Sequence, residues 1–373
     1  MKSNQDHYCL IDGLKVFAAQ IIILHHCMSY GQLASAGVAL FPGLSIFIFD
    51  YGRYAVQLFL VMAGYLAAQS FEKMMAVQAP AGKKGADSVL RLALRRYLRL
   101  VGPYSIAIVI TIACAALARQ WSTAEYIGQA ETVQQVLAHL FLMQGLLGYE
   151  SISAGVWYVA IDWQLYTVLA IVYASISQRL LRIGIVALLG LASLLYFNRH
   201  ADYENTFIYF IGSYGLGALA YWASGQHAIK ASHHQAAAKK ILLVITITVT
   251  LSAIHSVWLR NYLALAIALL LMLYGQIPYT PNPVANKDKK VAWRVLAAKA
   301  LQWASARAYC AFLIHFAFIL LANTALIALG VQSALVAVAA IGAVSVLSWI
   351  GANYLYLWIE LPIGRWRPAV LFT

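Results

Sequence analysis
The sequence predicts an all-α polytopic membrane protein of about ten transmembrane helices with both termini cytoplasmic. Three observations predict it. Of the 373 residues, 62% are apolar and only 10% are charged, whereas an ordinary soluble domain carries roughly 25% charged residues. Mean hydropathy is +0.74. The apolar residues also fall in long runs without Asp, Glu, Lys or Arg, the longest being the 52 residues of 308–359. A water-exposed fold cannot bury that much apolar surface and still present a charged exterior. The runs are continuously apolar, not alternating, which argues against a spanning barrel. Helices are then the way left to satisfy the backbone in lipid.

Taken in order, the expected spans are 10–30, 53–71, 97–118, 155–177, 181–197, 205–223, 240–258, 261–278, 307–329 and 334–359. The piece 136–148 is too short to cross and reads as interfacial or re-entrant. No small-residue cleavage pattern follows the first run, so that run is expected to stay in the mature protein. Cytoplasmic loops are expected at 72–96, with Lys83-Lys84, and at 279–304, with Pro281, Pro283 and Lys287-Asp288-Lys289-Lys290. One integral domain, 1–373 with a core of about 10–365, accounts for the chain. The net charge of +13 reads as topology and not as nucleic-acid binding. With the N-terminus inside, only Arg53, Arg119, Arg199 and Arg260 fall on the outer side, as the positive-inside rule requires. Cys9, Cys27, Cys114 and Cys310 have unrelated spacings that suggest neither a disulfide framework nor a zinc site, and no metal is expected.

Ionisable residues inside a span are costly and therefore functional candidates. In the first span Lys15 and His26 are eleven positions apart. At about 100° per residue they share one helix face, with His26 about 16 Å further along. Asp12 is within pairing reach of Lys15. The alternative is that Lys15 and His26 extend to opposite interfaces. In the fourth span Asp162 lies at a depth similar to His26, with Tyr166 on the same face, so the carboxylate is expected to orient the imidazole. The competing account is an aromatic belt around a hydrogen-bonded Asp. Arg91, Arg95 and Arg99 recur every four residues with Arg96 beside them. This ladder suits phosphates, or else anionic lipid headgroups. His315 and Glu360 are two further buried candidates, each with a packing role as its alternative.

In this order the segments resemble the acyltransferase 3 family of integral membrane acyltransferases. Ile11-Asp12-Gly13-Leu14-Lys15, with His26 eleven positions after the Lys, is similar to the family's opening L-D-G-L-R and its following His. Ala55 to Leu66 resembles G-V-D-L-F-F-V-x-S-G-[FY]-L, with Gln57 for Asp and Ala63 for Ser. Arg95-Arg96-Tyr97-Leu98-Arg99 with Pro103 resembles R-R-x-x-R-[IL] and its proline. Trp157 to Tyr166 is similar to W-S-L-S-V-E-x-Q-F-Y, with Asp162 for Glu. Tyr309 to His315 resembles Y-S-x-Y-L-x-H, and Glu360-Leu361-Pro362 resembles E-x-P.

The resemblance implies transfer of an acyl group, commonly acetyl, from acyl-CoA to a hydroxyl of an envelope or secreted carbohydrate or glycolipid. The expected place is the inner (cytoplasmic) membrane. It fits His26 as general base, Asp162 as its orienting partner and Lys15 below it. Arg91, Arg95, Arg96 and Arg99 would meet the CoA phosphates, with acyl-CoA as a substrate and no permanent cofactor. The rival class is a proton-coupled or small-solute transporter using the same buried groups. No two-halves repeat of the kind many carriers show is evident in the sequence.

Overall fold
The structure is a computed structural model and describes residues 9–78, 86–225, 233–254, 257–275 and 289–365. Lys83-Lys84, Pro281, Pro283, Lys287 and Asp288 lie outside the described residues. Every regular element among those described is helical: α1 Cys9–Cys27, α2 Gly31–Leu40, α3 Pro42–Tyr51, α4 Val56–Gln78, α5 Ala86–Ala118, α6 Val133–Leu140 and α7 Trp157–Ser175, then α8 Arg179–Leu195, α9 Phe207–Ser224, α10 His233–Leu251, α11 Leu259–Tyr274, α12 Lys289–Ala328, α13 Ala334–Leu355 and α14 Leu361–Arg365.

Among the described residues, seven stretches are long and apolar enough to cross a membrane: Cys9–Cys27, Pro42–Met75, Val89–Ala118, Arg179–Arg199, His233–Ile254, Val295–Ala328 and Ala334–Arg365. Helices also form at the three remaining expected spans. Of these, α7 and α9 dilute their aliphatic residues with Trp, Tyr, Gly and Ser, and α11 has only 16 residues. The segment 31–51, between the first two expected spans, forms α2 and α3. Pro42 sits at the first turn of α3, where its missing N–H costs nothing. The expected loop residues 289–304 instead begin the 40-residue helix α12.

The described residues form two compact units. One comprises the described residues within 1–15, 57–96 and 161–302. Its centre is α9, buried continuously from Tyr209 to Ala223 and packed by α8, α10 and α11. Such burial on all sides follows from a sequence with no charged residue and many small ones. Two glycines let α4 and α9 meet backbone to backbone. A Cβ on Gly64 would stand 1.9 Å from the Tyr214 carbonyl oxygen, and one on Gly217 would stand 1.9 Å from that of Val61. Small residues allow this approach between membrane helices. Gly64→Ala is therefore expected to force the helices apart, at the upper end of the roughly 1–3 kcal/mol typical of overpacking, because a backbone carbonyl cannot swing away. Gly184→Ala, with nothing within 4 Å, is the control. Thermal unfolding in detergent checks the pair; an unchanged midpoint for Gly64→Ala would contradict the close approach.

The other unit comprises the described residues within 16–56, 97–160 and 303–373. Here α2 packs against α13. Asn323 ties the turn after α1, its Oδ1 accepting from Leu33 N (3.2 Å) and its Nδ2 donating to Tyr30 O (3.3 Å). Gln20 joins α1 to α13 by donating to Ser345 (3.2 Å) and accepting from Trp349 Nε1 (2.9 Å). Helix α6 begins at Thr132, whose side chain accepts from Gln135 N at 3.2 Å. It ends with Met143 N bonded to Ala138 O and Leu142 N to His139 O, a six-to-one and five-to-two closure. Leu142, fully buried with φ +57°, occupies the left-handed position usually given to Gly.

Between α6 and α7, His139 is held at both ring nitrogens. Nδ1 donates to Gln135 O (2.8 Å), and Nε2 accepts from Ile152 N (3.1 Å). Burial pushes its pKa below the usual 6.5, only partly offset by the Gln135 bond. Between 6.5 and the depressed value the unfolded chain binds a proton that the folded one does not. The contribution of His139 is thus complete above the unfolded pKa and is lost as pH falls, by up to about 1.4 kcal/mol per pH unit. The drop in thermal midpoint between pH 7.5 and 5.5 should be smaller in His139→Gln than in the wild type.

Candidate active site
The histidines of α1 divide their work. His25 Nδ1 donates to Ile48 O at 3.2 Å, and its Cβ is 2.8 Å from where a Cβ on Gly52 would stand. It holds the end of α3. His26, 9% exposed, turns to the middle of α12, where its Nδ1 lies 2.8 Å from Nε2 of the fully buried His315. The ring centroids are 5.0 Å apart and the ring planes 17° from parallel. His315 Nδ1 lies in turn 2.7 Å from the Phe312 carbonyl oxygen. Tyr30, one turn beyond His26, places its ring 5.9 Å away and packs on Tyr126 and Phe316.

The turn before α7 closes on this pair. Gly155 has φ +84°, and a Cβ there would meet the Phe312 ring at 3.1 Å and His26 Cε1 at 3.6 Å. Gly is favoured there, because the backbone conformation strains any other residue and the Phe312 ring stands close to where a Cβ would be. Two residues earlier the Ser153 hydroxyl is buried without a hydrogen-bond partner among the described residues. So are both polar ends of the Gln144 amide and the Gln32 oxygen.

Lys15 and Asp12 lie on α1 as the spacing requires, Asp12 buried and Lys15 half-buried. On α5, Arg91 and Arg95 are half-buried and Arg99 is exposed. Arg96 has a different engagement: Nε and Nη2 donate to Asp162 Oδ2 at 3.0 and 2.5 Å, and the guanidinium lies 5.3 Å over the Tyr166 ring. Trp163 Nε1 adds a bond to Ala93 O at 2.9 Å. Three residues singled out in the sequence, Arg96, Asp162 and Tyr166, thus form one cluster. The sequence paired Asp162 with His26; the partner that Asp162 has is Arg96, and the partner of His26 is His315. The second oxygen of Asp162, a residue 2% exposed, has no partner among the described residues.

Glu360 accepts from Cys310 Sγ at 3.1 Å. It ends the π-helical turn Tyr356–Glu360 just before Pro362, whose missing N–H is a reason for the helix to widen there. Pro103 removes the backbone donor for the Arg99 carbonyl within α5, and at the neighbouring carbonyl of Leu100 the Tyr309 hydroxyl donates at 3.0 Å.

Two further polar groupings had partners that the sequence did not indicate. Glu72, on α4, takes Arg179 at 3.4 Å and Arg182 at 3.5 Å, and accepts from Tyr173 and Trp222 at 3.1 Å each. Gln57 accepts from Ser213 at 2.5 Å. The commoner Asp at position 57 would also accept there, so Gln57 keeps the bond without the charge.

A family model described as an acyltransferase domain, that of the acyltransferase 3 family, matches residues 10–353. The match takes in α1 to α12 and most of α13, and stops short of Glu360. No curated protein and no solved structure matches the chain. A family match over nearly the whole length, on a chain of long apolar helices with a buried histidine pair, settles the class: this chain belongs to the acyltransferase 3 family of membrane acyltransferases.

Proposed function
We propose that the chain moves an acyl group, acetyl in the first instance, from cytoplasmic acyl-CoA to a hydroxyl of an extracytoplasmic carbohydrate. The observation that carries this reading is the buried His26–His315 pair, at the end of α1 opposite to Lys15. A neutral imidazole is suited to take a hydroxyl proton near neutral pH. The acceptor oxygen loses its proton to His26 and attacks the thioester carbonyl. The C–S bond then breaks, and the departing CoA thiolate takes the proton back from the imidazolium. The new ester leaves on the acceptor.

The basic face of α5 supports an acyl-CoA donor. Arg91, Arg95 and Arg99 offer guanidinium forks to its phosphates, whereas Arg96 is already neutralised by Asp162. A hydroxyl-rich acceptor is supported by the buried ends of Gln32, Gln144 and Ser153, which have no hydrogen-bond partners among the described residues. Unmet hydrogen-bonding capacity of that kind is costly unless water or a substrate fills it. In this reading the chain sits in the inner (cytoplasmic) membrane, and the charge asymmetry of the loops supports both termini lying inside.

Mass spectrometry of ester-linked acyl groups on envelope and secreted glycans tests the reading. A deletion strain is compared with its complements carrying the wild type or His26→Ala at equal membrane levels. An acyl mass lost on deletion and restored only by the wild type is the expected result. Unchanged glycans and glycolipids in the deletion strain would favour a transporter.

A further inference from the structure
The hydrogen bonds around the histidine pair fix the position of every ring proton. The Phe312 carbonyl oxygen can only accept, so Nδ1 of His315, at 2.7 Å, carries a hydrogen. A neutral His315 therefore presents a bare Nε2. That atom faces Nδ1 of His26 at 2.8 Å, and two bare nitrogens cannot face each other at this distance. Nδ1 of His26 must be the donor, which leaves the lone pair of His26 on Nε2.

We propose that His315 is a positioning residue that locks His26 in the Nδ1–H tautomer and so assigns the base to a single atom, Nε2. This rests on the acyl-transfer reading above. In the ground state the order of donation runs from His26 Nδ1–H to His315 Nε2, and from His315 Nδ1–H to the Phe312 carbonyl. When His26 Nε2 takes the acceptor proton, the positive charge forms on a ring whose Nδ1–H already points at a bare nitrogen. That proton can shift to His315 Nε2, leaving His26 neutral with its proton on Nε2 and His315 cationic, still donating to Phe312. The reverse shifts return a proton to the thiolate leaving group. Atoms and charge balance at each stage, and no carboxylate is needed to orient the base. The geometry is held from outside the pair as well. Phe312 packs edge-on against Tyr158 at 5.6 Å.

The assignment is tested on the wild-type protein first. Purified protein carrying ring-¹⁵N histidine, reconstituted in liposomes at pH 8, gives nitrogen spectra that distinguish the two tautomers, with the His26 signals identified by their loss in His26→Gln. A protonated Nδ1 and a bare Nε2 on His26 are expected; a protonated Nε2 overturns the proposal. His315→Leu then removes the acceptor, whereas His315→Gln keeps an amide oxygen able to accept from Nδ1. Ester formation in complemented strains should fall by about 10²-fold with Leu and stay within about tenfold of wild type with Gln. The His26 signal should move toward the Nε2–H tautomer in Leu alone. If His315→Leu fails to fold, the wild-type spectrum and the Gln variant still decide. Equal activity in wild type and Leu overturns the proposal and leaves acyl transfer standing. Absence of ester in the wild-type complement is instead the failure of the acyl-transfer reading, which takes the positioning role with it even where the tautomer is as stated.

Discussion

His26→Ala is expected to lower acyl transfer by about 10²–10⁴-fold, the range for losing a general base, while the folded protein persists. The loss should appear in turnover and not in the apparent affinity for acyl-CoA. In the proposed reading the phosphates of the donor are met on α5, and His26 meets only the reacting hydroxyl. A variant that removes an interaction made in the transition state lowers kcat and kcat/KM together. The side chain is 9% exposed, so truncation also leaves a small cavity and strands His315 Nε2 without its donor. A bare imidazole nitrogen tolerates this better than a charge would, so the expected cost in stability is about 1–3 kcal/mol. The thermal midpoint of His26→Ala should accordingly fall by only a few degrees. His25→Ala is the contrast, since His25 binds the Ile48 carbonyl at the end of α3. It should weaken the fold locally and retain more ester formation than His26→Ala. A result in the opposite order would move the base to His25.

Much of the architecture is legible from hydrophobicity because lipid leaves few choices. The charge-free runs locate α4, α5 and α7 to α13, although α5 and α12 begin well before the expected spans 97–118 and 307–329. The pair α2 and α3 was not expected, yet a signal for it exists. No charged residue occurs from 16 to 49, too long a run for one span, and Pro42 after Phe41 marks a new helix start. The candidate site was legible as a set of residues and not as a set of partners. Spacing along a helix gives depth and face, which is why Lys15 and His26 could be placed on one side of α1. It does not give the neighbour that the face meets, because neighbour choice is decided by how helices pack. Asp162 and His26 were matched by depth alone, and packing gives each a different partner. The bond from His315 to Phe312 spans three residues within a single helix, so it was within reach of the sequence. Its consequence, a defined tautomer on His26, needed the position of α1 against α12.

Removing one member of the Arg96–Asp162 pair is expected to destabilise the fold by about 3 kcal/mol or more, the low end for breaking a buried ion pair. Asp162 is almost wholly inside, with 3% of its side chain exposed, whereas Arg96 retains 26%, so Arg96→Met should cost more than Asp162→Leu. Arg96→Met leaves a buried carboxylate with neither of its donors. Asp162→Leu leaves a guanidinium that can still lie over Tyr166 and reach solvent. The double variant, Arg96→Met with Asp162→Leu, carries no stranded charge and is expected to recover most of the lost midpoint. Replacement of a buried pair by apolar residues of similar size is often neutral. Recovery of the fold should not bring back ester formation. Arg96 directs both Nε and Nη2 at a single oxygen of Asp162. The other oxygen is buried without a partner among the described residues, an arrangement that a purely structural pair has no reason to keep. A stable but inactive double variant would assign that oxygen to substrate. A stable and active one would reduce the pair to a strut between α5 and α7, and leave His26 with His315 as the working centre.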